Sequence, residues 1–215
     1  MQPRLFKLWL LLATWIVVIS LTGDASVRAA NAPALLLANE LGHNVDPAQY
    51  LVSEKFDGVR AVWDGKVLRF RSGRGVPAPA WFIAKLPPQP LDGELWLARN
   101  RFDALSGMVR KSEPVDDEWR QISYLIFELP NAPGSFAERV ERIKEIVAQT
   151  QWPRLIAVQQ FRVANRAALK KKLDEVVRAG GEGLMLHLAE APYVTGRSDA
   201  LLKLKPLQDT EADVI

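Results

Sequence analysis

Lys55 sits in the stretch Ser53-Glu54-Lys55-Phe56-Asp57-Gly58-Val59-Arg60, which reads Lys-x-Asp-Gly-x-Arg. A protonated lysine amine is a poor nucleophile. Burial or a cationic neighbour lowers the pKa of a lysine and frees its lone pair. Arg60, Lys203 and Lys205 are the candidate neighbours, while Asp57 opposes the effect and holds local geometry. Four more charged residues fall where the chain otherwise reads as apolar strand: Glu94, Glu182, Lys203 and Lys205. Charges on buried strands are costly unless paired or functional. Two acids and three lysines suit a site for phosphates and a divalent cation. Carboxylates hold magnesium, lysines meet phosphate oxygens, and one lysine attacks phosphorus. The alternative for all five is internal salt bridging.

The elements that must position these residues follow from local pattern. Residues 51–71 read as a hairpin around Lys55, with Asp64-Gly65 as a tight turn. Ala34 to Leu41 reads as a short helix, with loop to Tyr50. Gly73, Gly75, Pro77 and Pro79 break regular structure before Trp81 and Phe82, which are expected in the core. Leu91 to Leu97 and Tyr124 to Leu129 read as strands, and Phe102 to Lys111 as a short helix. Ser135 and Glu138 form a capping box for a helix over 136–149. Leu155 to Val163 reads as a strand. Asn165 caps a second helix ended by Gly180-Gly181, with Lys170, Lys171 and Lys172 on a solvated face. Gly183 to Leu188 and Leu201 to Lys205 read as strands, the latter placing Lys203 and Lys205 on one face. Strands outnumber helices and the helices come singly between them, which predicts an α+β class.

Composition narrows the chemistry. The 215 residues suit one domain with appendages, and 48% hydrophobic residues can build a core. Without cysteine there is no disulfide, thiolate metal site or Cys nucleophile. Two histidines, His43 and His187, make a multi-histidine zinc site a poor expectation. Arg4 and Lys7 precede an almost wholly apolar Leu8 to Leu21, and Val27-Arg28-Ala29 has the form of a cleavage site. This predicts a secretory signal peptide over residues 1–29, because the apolar core falls short of the roughly 18 residues of a spanning helix. Cleavage would leave a periplasmic protein off the membrane. It would take three of the 28 basic and one of the 25 acidic residues, leaving a formal charge of +1. Any nucleic-acid contact must therefore come from a local patch.

In order and spacing these stretches resemble the covalent nucleotidyltransferases: ATP-dependent DNA ligases, RNA ligases and mRNA capping enzymes. Lys55-Phe56-Asp57-Gly58-Val59-Arg60 looks like motif I of that superfamily and Arg71-Ser72-Gly73 like motif Ia. Leu91-Asp92-Gly93-Glu94-Leu95 is similar to motif III, and Tyr124 to Leu129 to motif IIIa. Glu182-Gly183-Leu184-Met185-Leu186 resembles motif IV and Leu202-Lys203-Leu204-Lys205 motif V. The resemblance spans roughly residues 34–205. It is nearest to minimal bacterial DNA ligases with an export signal, through Ala78-Pro79-Ala80-Trp81-Phe82, Phe102-Asp103-Ala104-Leu105-Ser106-Gly107 and Gly196-Arg197-Ser198-Asp199.

The resemblance implies an α+β nucleotidyltransferase (ligase adenylation, ATP-grasp-like) domain over 30–205, with antiparallel sheets and flanking helices. It implies ATP and Mg²⁺ as cofactors, a nicked double-stranded DNA partner and a monomer. Lys55 would attack the α-phosphate of ATP, Arg60 and Glu94 would hold the ribose, and Phe127 would cover the purine face. Glu54, or backbone beside it, would lie near the adenine edge. Glu182 would bind Mg²⁺, with Glu94 as a second ligand. Lys203 and Lys205 would neutralise the α-phosphate, and Arg71 would meet the 5′-phosphate of the nick. Phe127 as plain core and Arg71 as a strand-edge charge stay open. For His187, a DNA contact and a satisfied strand histidine stay open. Residues 206–215 resemble a linker and the opening of an OB-fold domain that ends early, which would impair sealing. An RNA ligase or other AMP-transferring enzyme, and a non-catalytic nucleic-acid-binding remnant, are the competing readings.

Overall fold

Period-two alternation sorts each strand into a buried row and a row facing a cleft, and that division makes the site. The computed structural model describes residues 32–206, so the expected leader and all but Pro206 of the expected linker lie outside the described residues. The strands are β1 (Leu36–Glu40), β2 (Tyr50–Lys55), β3 (Val59–Trp63), β4 (Leu68–Phe70), β5 (Leu91–Trp96), β6 (Ser123–Glu128), β7 (Leu155–Ala157), β8 (Gly183–Leu188) and β9 (Gly196–Leu204). The helices are α1 (Ala80–Ile83), α2 (Phe102–Val109), α3 (Asp116–Trp119), α4 (Phe136–Thr150) and α5 (Arg166–Arg178). One sheet has the order β1-β9-β8-β2 and the other β4-β3-β5-β6-β7.

In the first sheet, Tyr50, Val52, Leu184, Leu186 and Leu202 form the buried row and pack on Leu169 and Val176 of α5. In the second, Val59, Ala61, Trp63, Leu91, Leu95, Tyr124 and Ile126 pack against Phe82 of α1, Leu105 of α2, Trp119 of α3 and Ile143 of α4. Each fully buried aliphatic or aromatic side chain contributes about 1.5–3 kcal/mol. The two long helices start where the sequence predicts. Ser135 Oγ accepts from Glu138 N at 3.4 Å while the Glu138 carboxylate accepts from Ser135 N at 2.7 Å, and Asn165 Oδ1 accepts from Ala168 N at 3.0 Å.

Four expectations change. Residues 34–41 hold a strand instead of a helix: β1 pairs in parallel with β9. A run of that length fits either state by periodicity, and the exposed edge of β9 decides it. The hairpin is only β3–β4, because β2 pairs with β8 in the other sheet. Lys55-Phe56-Asp57-Gly58 is therefore a crossing between sheets. The strand from Leu155 ends at Ala157 beside β6, and Phe161 then bridges to Val52 of β2. The last strand begins five residues earlier than expected, at Gly196. Antiparallel pairing dominates as expected, but β1–β9 and β6–β7 run parallel.

One buried ion pair ties the sheets to α4. Arg139 of α4 donates from Nε and Nη2 to Glu128 of β6 at 2.7 and 2.8 Å. Its Nη1 reaches Gly134 O at 2.8 Å and Ala191 O, beyond β8, at 3.1 Å. The two side chains are 0% and 2% exposed. Removing the arginine strands a buried carboxylate, so Arg139→Met is expected to destabilise the domain by about 3–5 kcal/mol, while Glu128→Leu/Arg139→Met recovers most of the loss. Urea unfolding at neutral pH checks this; a single-variant loss below about 1 kcal/mol would contradict it.

Candidate active site

Lys55 is the last residue of β2 and lies directly across from Gly183 of β8. Glu182 precedes that glycine and bonds both Lys55 and Lys205, the latter at 2.5 Å. Gly183 permits the approach: a Cβ there would strike the Leu204 carbonyl, and its φ is +153°. Burial pushes the Glu182 carboxyl up, but the hydrogen bonds from Lys205 and Lys55 outweigh it and hold the group below the usual range. The same bond holds Lys205 above its ordinary value. Lys203 faces the same way and pairs with Glu40 of β1 at 2.8 Å.

The second sheet supplies the opposite wall. Gly58 lets the crossing lie on β5, since a Cβ there would strike the Leu95 carbonyl and come within 2.6 Å of Glu94 Cγ. Arg60 and Glu94 are direct cross-strand neighbours. Arg60 donates from Nε and Nη2 to Asp92 at 3.0 and 2.6 Å, and from Nη1 to Leu36 O at 3.0 Å. Burial works against the guanidinium charge, but Asp92 outweighs it and raises the Arg60 pKa. Burial likewise pushes the Asp92 carboxyl up against the pull of Arg60. The two-pronged geometry is that of an ion pair, in which both groups are charged. Glu94 is pushed up to about 8, first by burial, with Arg60 and Lys55 opposing.

Phe127 reaches the site through an irregularity. Asp92 pairs with Glu128 and Gly93 with Ile126, so Phe127 is the extra residue of a β-bulge on β6. A bulge re-aims the side chain it carries. Phe127 is half-buried, lines the cleft, and lies under the Arg60 guanidinium at 5.4 Å from ring centre to carbon.

The cleft holds a cavity of about 390 Å³. Lys55, Lys203, Lys205, Arg60, Arg71, Glu94 and Phe127 line it together, with Glu182 holding two of the lysines. Arg71 is exposed at the rim and has no salt-bridge partner among the described residues. Glu54 also borders the cavity, but strand alternation turns its side chain from the Lys55 face. There Arg99 holds its carboxylate at 2.9 and 2.7 Å. His187 is 5% exposed and stacked on Phe136 at 3.5 Å. Burial, with Arg139 nearby, lowers its pKa to about 3. It is a neutral cavity-floor group, which removes the expectation of a surface DNA contact. Lys170 and Lys172 pair with Asp174 and Glu175 on the outer face of α5, as a solvated surface predicts.

Among the described residues no three His, Cys, Asp or Glu cluster as a metal cage. A magnesium ion carried by phosphates needs only one or two protein carboxylates. Glu182 and Glu94 fit that donor set. Sequence reasoning missed Asp92, Glu40 and Arg99. Asp92 was findable, since it lies two residues before Glu94 and shares its face. Glu40 and Arg99 carry no local signal, because their partners lie far along the chain.

Residues 37–205 match the family model described as the ATP dependent DNA ligase domain. A DNA ligase of Haemophilus influenzae is 33% identical over 192 residues, covering 89% of this chain and 70% of that protein. A solved Lig E DNA ligase, from work on DNA binding with a minimal scaffold, is 40% identical with a TM-score of 0.76, covering 80% of this chain and 68% of that one. The Chlorella virus DNA ligase-adenylate shares the fold at 22% identity and a TM-score of 0.68, covering 80% and 69%.

The raised Glu94 carboxyl has a stability consequence. A carboxyl whose folded pKa lies above its unfolded value supports folding below the unfolded pKa, and that support is lost as pH rises through the folded pKa. For Glu94 the window runs from about 4.5 to about 8. Ligand-free protein is expected to lose stability to urea across that window, and Glu94→Gln to lose less. Identical pH profiles for the two proteins would contradict the burial argument.

Proposed function

The chain belongs to the ATP-dependent DNA ligase domain family, and on that premise we propose how its residues divide the work. It is the catalytic domain of a DNA ligase, an enzyme that uses ATP. Lys55 Nζ leaves Glu182, loses its proton and attacks the α-phosphorus of ATP. A P–N bond forms, the bond to pyrophosphate breaks, and AMP stays on the lysine. The AMP then passes to the 5′-phosphate of a nick in double-stranded DNA, and the 3′-hydroxyl displaces it to seal the strand.

The observation that carries this reading is the convergence of Lys55, Lys203 and Lys205 on one cavity beside Glu182. An ammonium attacks only after losing its proton, so release from Glu182 precedes the chemistry. Lys203 and Lys205 are positioned charges that stabilise the phosphate as negative charge shifts toward the leaving pyrophosphate. Arg60, held by Asp92, and Glu94 face the ribose. Phe127, aimed by its bulge, offers a stacking face to the purine. Arg71 at the open rim suits the 5′-phosphate of the nick. Glu182 and Glu94 would hold Mg²⁺, which would supply neutralisation of phosphate charge. Nicked DNA is the substrate in preference to nicked RNA, and the domain works as a monomer. The leader pattern at 1–29 supports export to the periplasm, with a mature N-terminus near Ala30.

The test is incubation with labelled ATP and Mg²⁺, followed by addition of nicked DNA. Wild type is expected to retain label covalently and to pass it to the 5′-phosphate of the nicked DNA, whereas Lys55→Ala retains none and NAD labels neither protein. Glu182→Ala is expected to slow labelling by roughly a hundredfold or more with an unchanged urea midpoint. Equal labelling by NAD would overturn the nucleotide assignment. Unfolding of Glu182→Ala would make that residue a structural ion-pair partner instead.

A further inference from the structure

Residues 155–161 form a ribbon that closes the back of the cleft. It leaves the second sheet where Val158 N donates to Ile126 O at 2.8 Å. It joins the first where Val52 and Phe161 exchange backbone hydrogen bonds at 2.8 and 2.9 Å. The ribbon alternates like a strand. Val158 and Gln160 line the cavity that Lys55 enters, while Gln159 and Phe161 line a separate groove behind it. The antiparallel bridge between Val52 and Phe161 sets Ser53 opposite Gln160. Directly opposed residues project to the same face, with Cβ atoms about 4.5–5.5 Å apart. Gln160 therefore stands on the face that carries Ser53 and Lys55, at the end of the cavity remote from Lys205.

The cavity is polarised along its length. Its mouth gathers lysines and arginines, which suit phosphates. Its back end combines Phe127, Val158 and Met185 with a neutral amide, which suits a flat heteroaromatic base. The charged groups near that end are already engaged: Glu54 by Arg99, and Glu128 by Arg139 and by the Leu129 amide. His187 Nε2 is sealed from solvent without a hydrogen-bond partner. Gln160 is half-buried, and its amide makes no hydrogen bond among the described residues. A glutamine amide carries a donor and an acceptor side by side, the match for an amino group next to a ring nitrogen.

Resting on the reading of this cavity as the ATP site, we infer that Gln160 determines base specificity by accepting a hydrogen bond from the 6-amino group of adenine and donating one to the adjacent ring nitrogen. The Glu54 carboxylate, turned away and held by Arg99, does not take this role.

The test is a cycle that removes each partner in turn, with covalent labelling of Lys55 as the readout. ATP is compared with purine riboside triphosphate, which lacks the 6-amino group, in wild type and in Gln160→Leu. Wild type is expected to prefer ATP by roughly ten- to a hundredfold, expressed in the apparent KM. Gln160→Leu is expected to discriminate less than about threefold, losing more labelling with ATP than with the analogue, which keeps only the ring-nitrogen partner. A wild-type preference retained in Gln160→Leu would overturn the inference. So would an equal loss of labelling with both nucleotides, which is the signature of a merely structural residue. Failure of wild type to take label from ATP at all would instead bring down the reading of the cavity as the ATP site.

Discussion

Two ammonium groups share one carboxylate at the mouth of the cleft. Lys55 arrives at the end of β2, Lys205 just beyond β9, and Glu182 before β8 bonds both. Two like charges about 4 Å apart repel by roughly 1 kcal/mol in water and about 4 kcal/mol near a protein surface. The backbone ladders bring the strand ends together, and the carboxylate between them lets the two ammonium groups rest side by side. The groups are only part-buried, so each bond is worth little by itself. That weakness serves the chemistry. A triphosphate brings more negative charge than one carboxylate and can take over both lysines, freeing Lys55 to face phosphorus. Glu182 pairs both lysines in the ligand-free cleft, and on the proposed reading it would be available to a cation once the nucleotide takes them over.

This exchange needs walls that do not move with it, and buried ion pairs supply them. Arg60 and Asp92 lock β3 to β5 and, through Leu36 O, to β1 of the other sheet. Arg139 and Glu128 lock α4 to β6 and to the segment after β8. Both pairs are more enclosed than the Glu182 network, so breaking them is costly where rearranging Glu182 is not. Rigid pairs frame the cleft and labile pairs fill it.

The charged residues that meet at the cleft were easier to read in the sequence than the architecture around them. Lys55, Glu94, Glu182, Lys203 and Lys205 stand out because charge is rare on strands that otherwise bury apolar side chains. Their convergence on one cavity follows from strand parity, which the sequence carries. Phe127 was legible as an aromatic in a strand, but not the bulge that aims it, because a bulge depends on the register of two strands. The short run Leu35-Leu36-Leu37-Ala38 carries no decisive period, and only pairing with β9 makes it a strand. The hairpin around Lys55 misled for a similar reason. Local turn chemistry at Asp64-Gly65 is real, but which sheet β2 joins is settled by β8, more than a hundred residues away. Gln160 was invisible as a site residue because an amide in a strand-like stretch has no cost that marks it out.

The central claim is that Lys55, and not either of its cationic neighbours, is the group that bonds to the nucleotide. Peptide mapping by mass spectrometry after reaction with ATP and Mg²⁺ tests it most directly, using a digest kept away from acid so that a P–N bond survives. The account predicts AMP on the peptide that contains Lys55 and unmodified Lys203 and Lys205. AMP on Lys203 or Lys205 in place of Lys55, or no adduct on any lysine, would contradict it.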